Sequence, residues 1–282
     1  MATEALLLYI FRTRAFALTE ESLMSYSPTG TLRKAALGIA AAALATSASA
    51  LPAFTFSPGA VGLAGASFTG DNLIVSDYAT VLLDGSGGFT ETGFLSIGSA
   101  QLVGSTFTPG GLNSTYGMYI GFSGAGTTTQ GNPSAVPTSG TFTSLNFTLY
   151  GYNGSATFGF SGNTPTETAS GEVVLATGSL TSGGVSTIPG GGSFSPAASA
   201  LVTFNPVATG FFTNPVPFYS GSFASFVNSP SQVEPFAGGF RIRQGGGSFN
   251  FVTTPIPEPS TYALLLAGLA VVGTVARRRK IV

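Results

Sequence analysis

Between Leu51 and Thr254 apolar residues alternate with small polar ones, Gly, Ser, Pro or Asn interrupts them every few positions, and nowhere do they recur at a helical period. The regular structure open to such a stretch is the half-buried antiparallel strand. Tyr116, Met118, Ile120 and Phe122 show the alternation, as do Leu145, Phe147 and Leu149 against Asn146, Thr148 and Tyr150. Further strands are expected over Leu73–Asp84, Gly88–Ile97, Ala156–Phe160, Val173–Leu180 and Ala200–Phe204. Phe240 and Ile242, followed by Phe249 and Phe251 across Gly245-Gly246-Gly247, read as a hairpin. The small-residue stretches 124–140 and 181–196 read as long exposed loops. Around ten strands with no fixed repeat predict an all-β domain, an antiparallel sandwich of jelly-roll type.

The domain has the means to bury a core, since 43% of the chain is apolar although only 7% is charged. Its chemistry is restricted. With no His and no Cys, Ser-His-Asp and Cys-His machinery and the usual zinc sites are excluded. No Lys or Arg lies between Ala35 and Phe240, so the domain lacks the cationic surface that nucleic acid requires, and lysine-based Schiff-base or P-loop chemistry is excluded too. What remains is a set of carboxylates: Asp71, Asp77, Asp84, Glu91, Glu167, Glu172 and Glu234. A glycosidase needs two acids flanking one bond, but Glu167 and Glu172 read more simply as solvated acids. Asp71, Asp77 and Asp84 are candidates for calcium, yet without a spaced Asp-x-Asp-x-Asp loop they read as turn-capping residues. No catalytic residue, metal or cofactor is therefore expected. Phe211, Phe212, Phe218, Tyr219, Phe223, Phe226 and Phe236 are expected in the core or in cross-strand pairs. Tyr116, Tyr119, Tyr150, Tyr152 and Tyr219 are the candidates for sugar contact.

The two ends read as addresses. Arg33 and Lys34 precede the apolar run Ala35–Ala45, which closes on small residues, the order of a secretory signal peptide cut after Ala48-Ser49-Ala50. Met24 as the start gives that leader an ordinary length. At the other end Pro257-Glu258-Pro259 is followed by apolar residues from Tyr262 to Ala276 and then by Arg277, Arg278, Arg279 and Lys280. About fifteen apolar residues are short beside the roughly twenty that span a bilayer, so this is a marginal transmembrane helix whose basic cluster stays cytoplasmic. The chain thus divides into a leader over 1–50, an extracellular β-rich domain over 51–254 and a tail over 255–282.

Ile256-Pro257-Glu258-Pro259, the short apolar helix and the terminal arginines resemble the PEP-CTERM sorting signal. The resemblance covers about the last tenth of the chain, and Ile stands where the family more often has Val. It implies an exosortase that acts near the Pro-Glu-Pro motif, and a Gram-negative host that makes exopolysaccharide. Within the domain, Leu51-Pro52-Ala53-Phe54-Thr55-Phe56, Gly88-Phe89-Thr90-Glu91-Thr92-Gly93-Phe94 and Gly111-Leu112-Asn113-Ser114-Thr115-Tyr116-Gly117 resemble the flocculation-associated PEP-CTERM proteins. That likeness implies a part in holding cells and exopolysaccharide together. The expectation is a non-enzymatic matrix or adhesive protein whose partners are the translocon, signal peptidase, an exosortase, the inner membrane in passing, and a surface polymer. A lectin-like module is the alternative, and a secreted glycoside hydrolase ranks third.

Overall fold

The computed structural model describes residues 51–129, 133–190 and 193–252. Eight long strands follow one another in chain order: β1 Asn72–Leu83, β2 Gly88–Leu102, β3 Tyr116–Thr128, β4 Thr138–Asn153, β5 Val173–Gly190, β6 Ser193–Thr203, β7 Gly221–Val227 and β8 Gly239–Val252. Each pairs antiparallel with the next, and β8 pairs back onto β1, so the sheet closes as an up-and-down barrel. This corrects the expected sandwich. Local alternation marks a strand and its buried face but not its partners, and the strands are longer than the pattern suggested. The supposed loops are largely strand: β3 runs on to Thr128, β4 begins at Thr138, and Val185–Gly190 pairs with Ser193–Ala198. The expected 240–251 hairpin is one strand, kinked by a bulge between Arg243 and Gly245. Further bulges, at Gly98 on β2, Thr143 on β4 and Leu175 on β5, help the sheet to curl.

Inward positions fill the barrel. Leu73 and Val75 of β1, Leu95 and Ile97 of β2, Ile120 of β3, Phe147 and Leu149 of β4, and Phe249 and Phe251 of β8 are buried together. The outward faces carry Thr90, Thr92, Ser123, Thr141, Asn146 and Ser248, unlike the apolar band of a lipid-facing barrel. Among the described residues no helix is long and apolar enough to cross a membrane. The expected tail helix lies outside the described residues.

One end is capped. Strands Phe54–Phe56, Phe68–Gly70 and Phe212–Asn214 form a small sheet there. Phe54, Phe56, Phe68, Phe211 and Phe251 pack ring against ring, with Phe212 and Phe218 half-buried at the margin. Of the other aromatic residues expected inside, Phe223 is 36% exposed and lies on the outer wall. Residues 51 and 252, where the described domain begins and ends, are both at this capped end. The other end, where β1, β3, β5 and β7 finish, is the mouth.

The high glycine and phenylalanine content has one explanation in several places: rings lie over glycines of the adjoining strand. A Cβ at Gly178 would stand 2.1 Å from the Thr203 carbonyl oxygen and 2.3 Å from the Phe147 ring, and one at Gly126 would stand 2.5 Å from the Phe89 ring. Gly178→Ala should therefore cost about 1–3 kcal/mol through overpacking. Gly159, with nothing within 4 Å of its Cβ position, should accept Ala without loss. Denaturant midpoints of the two variants compare them directly, and equal midpoints would contradict the packing argument.

A hairpin, Phe158–Ser161 with Thr164–Glu167, straps the outer wall. The Thr80 hydroxyl donates to the Asn163 carbonyl at 2.5 Å, and Arg241 donates to the Gly162 carbonyl. Arg241 and Arg243 both pair with Glu234, at 2.5 and 2.7 Å, and flank the Phe160 ring. The two arginines of the domain thus serve the outer wall, not the lumen.

Candidate functional site

Among the buried polar side chains that interrupt the apolar lumen are Asp77 on β1, Glu91 on β2 and Asn228 just after β7, at 3%, 8% and 2% exposure. Asp77 lies level with Leu95 on one side and Gly245 on the other. The β8 bulge, with Gln244 at φ 54°, turns Gly245 inward. The Asn228 Oδ1 atom lies 2.1 Å from where a Gly245 Cβ would stand. A glycine between Asp77 and Asn228 thus makes room for the amide to lean across β8. Oδ1 of Asp77 and Oδ1 of Asn228 have no hydrogen-bond partner, an arrangement that costs about 1–3 kcal/mol per group unless something donates to it.

Burial sets the electrostatics. It pushes the Asp77 carboxyl well above the ordinary carboxylate range, with the Glu91 charge adding to the effect. Burial pushes Glu91 up from 4.5 to about 7. Two cavities meet at Glu91. One, of about 80 Å³, lies toward the mouth between Val81, Phe89, Asn228, Phe240 and Ile242 and reaches the rim at Leu83. The other, of about 50 Å³, lies deeper against Leu95, Ile120, Phe147 and Phe249. Such chambers are far below the roughly 300 Å³ at which sites for drug-sized ligands begin, so neither accommodates a polysaccharide chain. Chemically the site is a small apolar chamber with acceptors and a carboxyl that changes charge near neutrality.

The other expected candidates are dispersed. Asp71 and Asp84 lie six and seven residues from Asp77 along one extended run, roughly 20 Å at 3.3 Å per residue, so the three cannot share a calcium ion. Asp71 accepts from the Val103 amide at 2.6 Å, and Asp84 caps its turn by accepting from the Ser86 and Gly88 amides at 2.8 Å each. Those bonds hold the Asp84 carboxyl below its ordinary value.

Glu167 and Glu172 both lie beside Tyr119 on the outer wall. The Tyr119 hydroxyl donates to Glu172 at 2.8 Å, and burial, that bond and both carboxylates push its pKa up. Of the tyrosines considered for sugar contact, Tyr116, Tyr119 and Tyr152 are buried. Tyr116 sits inside with its hydroxyl unpartnered and its pKa pushed up to about 12 by burial. Tyr150 stacks on Tyr119 at 5.0 Å, and Tyr219 on Phe251 at 5.7 Å, both half-buried. The processing residues Ala48, Ala50, Pro257, Glu258, Pro259, Arg277, Arg278, Arg279 and Lys280 lie outside the described residues.

The lumen trio was partly readable. Asp77 falls in phase with Leu73, Val75, Ala79 and Val81, and Glu91 with Phe89, Gly93, Leu95 and Ile97, so each acid occupies an inward position of an alternating strand. Asn228 gave no such signal, being placed by pairing across β8.

Comparison with known proteins bears on the tail. Residues 255–280 match the family model of the PEP-CTERM protein-sorting motif. The chain carries a PEP-CTERM sorting motif. That motif implies an exported protein sorted through an exosortase, with a transient membrane-held stage. No curated protein and no solved structure matches the chain significantly.

Proposed function

We propose that this chain is a structural or adhesive component of the cell surface or extracellular matrix, delivered there by exosortase processing and associated with exopolysaccharide. The PEP-CTERM motif at residues 255–280 carries the reading. The leader over residues 1–50 brings the chain to the translocon and signal peptidase of a Gram-negative cell. The arginine cluster then holds the tail across the inner membrane until the exosortase acts near Pro257-Glu258-Pro259. The barrel's outer wall supports contact with a neutral polymer: it presents Ser, Thr and Asn hydroxyls and amides, while its two arginines are tied to Glu234. Many weak hydrogen bonds to such a wall add up through repetition along a polymer.

The test is intact mass and cell fraction in the producing organism. The native protein should lack both the leader and residues 262–282 and appear at the surface or in the matrix. A variant with Pro257, Glu258 and Pro259 all changed to Ala should keep its tail and accumulate in the inner membrane. If the native protein keeps its tail and the variant fractionates identically, the exosortase route and the matrix role built on it both fall.

A further inference from the structure

The barrel contains something that a purely structural role does not use: a chamber lined by the Glu91 carboxyl and by the Asn228 amide, whose Oδ1 atom has no hydrogen-bond partner. We propose that the mouth-side chamber of the lumen binds a small primary amine with an apolar body, its ammonium held by Glu91 and Asn228. The charged groups facing the lumen are Asp77 and Glu91, both acidic, and Arg241 and Arg243 are engaged with Glu234 on the outer wall. An anion would therefore meet only like charge there. An ammonium has three donors and no acceptor, which complements the Glu91 carboxylate and the unpartnered Oδ1 atom of Asn228. A divalent cation fits poorly, because calcium takes six to eight oxygens, whereas here the Thr138 and Thr187 hydroxyls that line the chamber bond to each other and the wall is mainly Val81, Phe89, Val185, Phe240 and Ile242. Those five side chains supply the surface for an apolar body.

Size narrows the ligand. The chamber holds about 80 Å³, about half of the 150 Å³ cavity that takes up benzene. That suits a chain of about four carbons. The Gly245 gap and the β8 bulge, which bring the Asn228 amide over toward Asp77, are what the site adds to an ordinary barrel interior. Asp77 is the titratable group that faces Glu91, and its charge is of the same sign. Below neutrality Glu91 is protonated, so binding of the ammonium form displaces a proton from it and tightens as pH rises.

The experiment is calorimetric titration of the exported protein, purified from its producing cells, with n-butylamine, 1-butanol and butyrate at pH 8. n-Butylamine should bind at least tenfold more tightly than 1-butanol, and butyrate should not bind. Glu91→Gln, nearly isosteric, should bring the amine to parity with the alcohol while the alcohol's own affinity persists, which shows that the chamber is intact. Equal affinities for amine and alcohol in the wild type, an amine preference that survives Glu91→Gln, or binding of none of the three would each overturn the proposal.

Discussion

The barrel should lose stability as pH rises from about 5 to about 8, and Glu91→Gln should make that loss smaller. Glu91 has an ordinary value of 4.5 and is raised to about 7 in the folded state. The unfolded chain therefore gives up its proton near pH 4.5, while the folded chain keeps it to near 7. Between those values the folded state binds more protons, so each rise in pH favours unfolding. The full stability is present below the unfolded value, and the loss is complete above the folded one. A difference of about 2.5 units corresponds to about 3 kcal/mol, or about 6–12 °C of melting temperature for a domain of this size. Asp77, displaced in the same direction, adds to the loss. It is the titratable neighbour inside the lumen, because the domain's arginines lie outside on Glu234. Asp84 is shifted the other way, so its contribution fades only at acid pH, outside this window. Circular-dichroism melts from pH 5 to 8 decide the matter. A flat wild-type profile, or a Glu91→Gln variant as pH-sensitive as the wild type, would mean that water or a counter-charge reaches the lumen.

The second large effect is in the phenylalanine cap. Phe56 is fully buried, and its ring centroid lies 4.6–6.1 Å from those of Phe54, Phe68, Phe211, Phe212, Phe218 and Phe251. Phe56→Ala removes a whole ring from the middle of that group and leaves a cavity that six neighbours, themselves interlocked, cannot close. Changes of this kind cost about 3–5 kcal/mol, and the lost aromatic pairings place this one toward the upper end. Phe223→Ala, at a 36% exposed position on the outer wall, should cost under about 1 kcal/mol. Guanidinium unfolding of the two variants gives the contrast. A Phe56→Ala midpoint close to that of Phe223→Ala would show that the cap and the barrel unfold separately.

The alternation of Tyr116 to Phe122 or Leu145 to Leu149 identified β3 and β4 because each strand turns one face to the apolar lumen, and period two survives in the sequence. The barrel itself was not legible. Closure depends on β5 meeting β4 on one edge and β6 on the other, and on β8 returning to β1, whose paired residues lie 157 to 176 positions away, which no local pattern encodes. The glycines misled for a physical reason. In an isolated strand Gly178 or Gly126 weakens the structure, but in a closed wall it lets Phe147 or Phe89 lie flat against the neighbouring strand. For the same reason 181–190 is strand: both edges have partners, so small flexible residues are held in place. In the lumen, the phase of Asp77 and Glu91 was visible in the sequence, whereas the approach of Asn228 over Gly245 depends on a bulge that only the folded pairing reveals.

The position of β8 governs how the domain carries load. Its last residue, Val252, is where the chain leaves the barrel toward the sorting motif, and the strand is bonded to β7 on one side and β1 on the other. Tension on the chain beyond Val252 runs along the strand and strains both ladders in shear. Many hydrogen bonds must then yield together, whereas a strand peeled from the edge of an open sheet would release them one by one. Held by its C-terminal segment, the barrel is built to resist a pull.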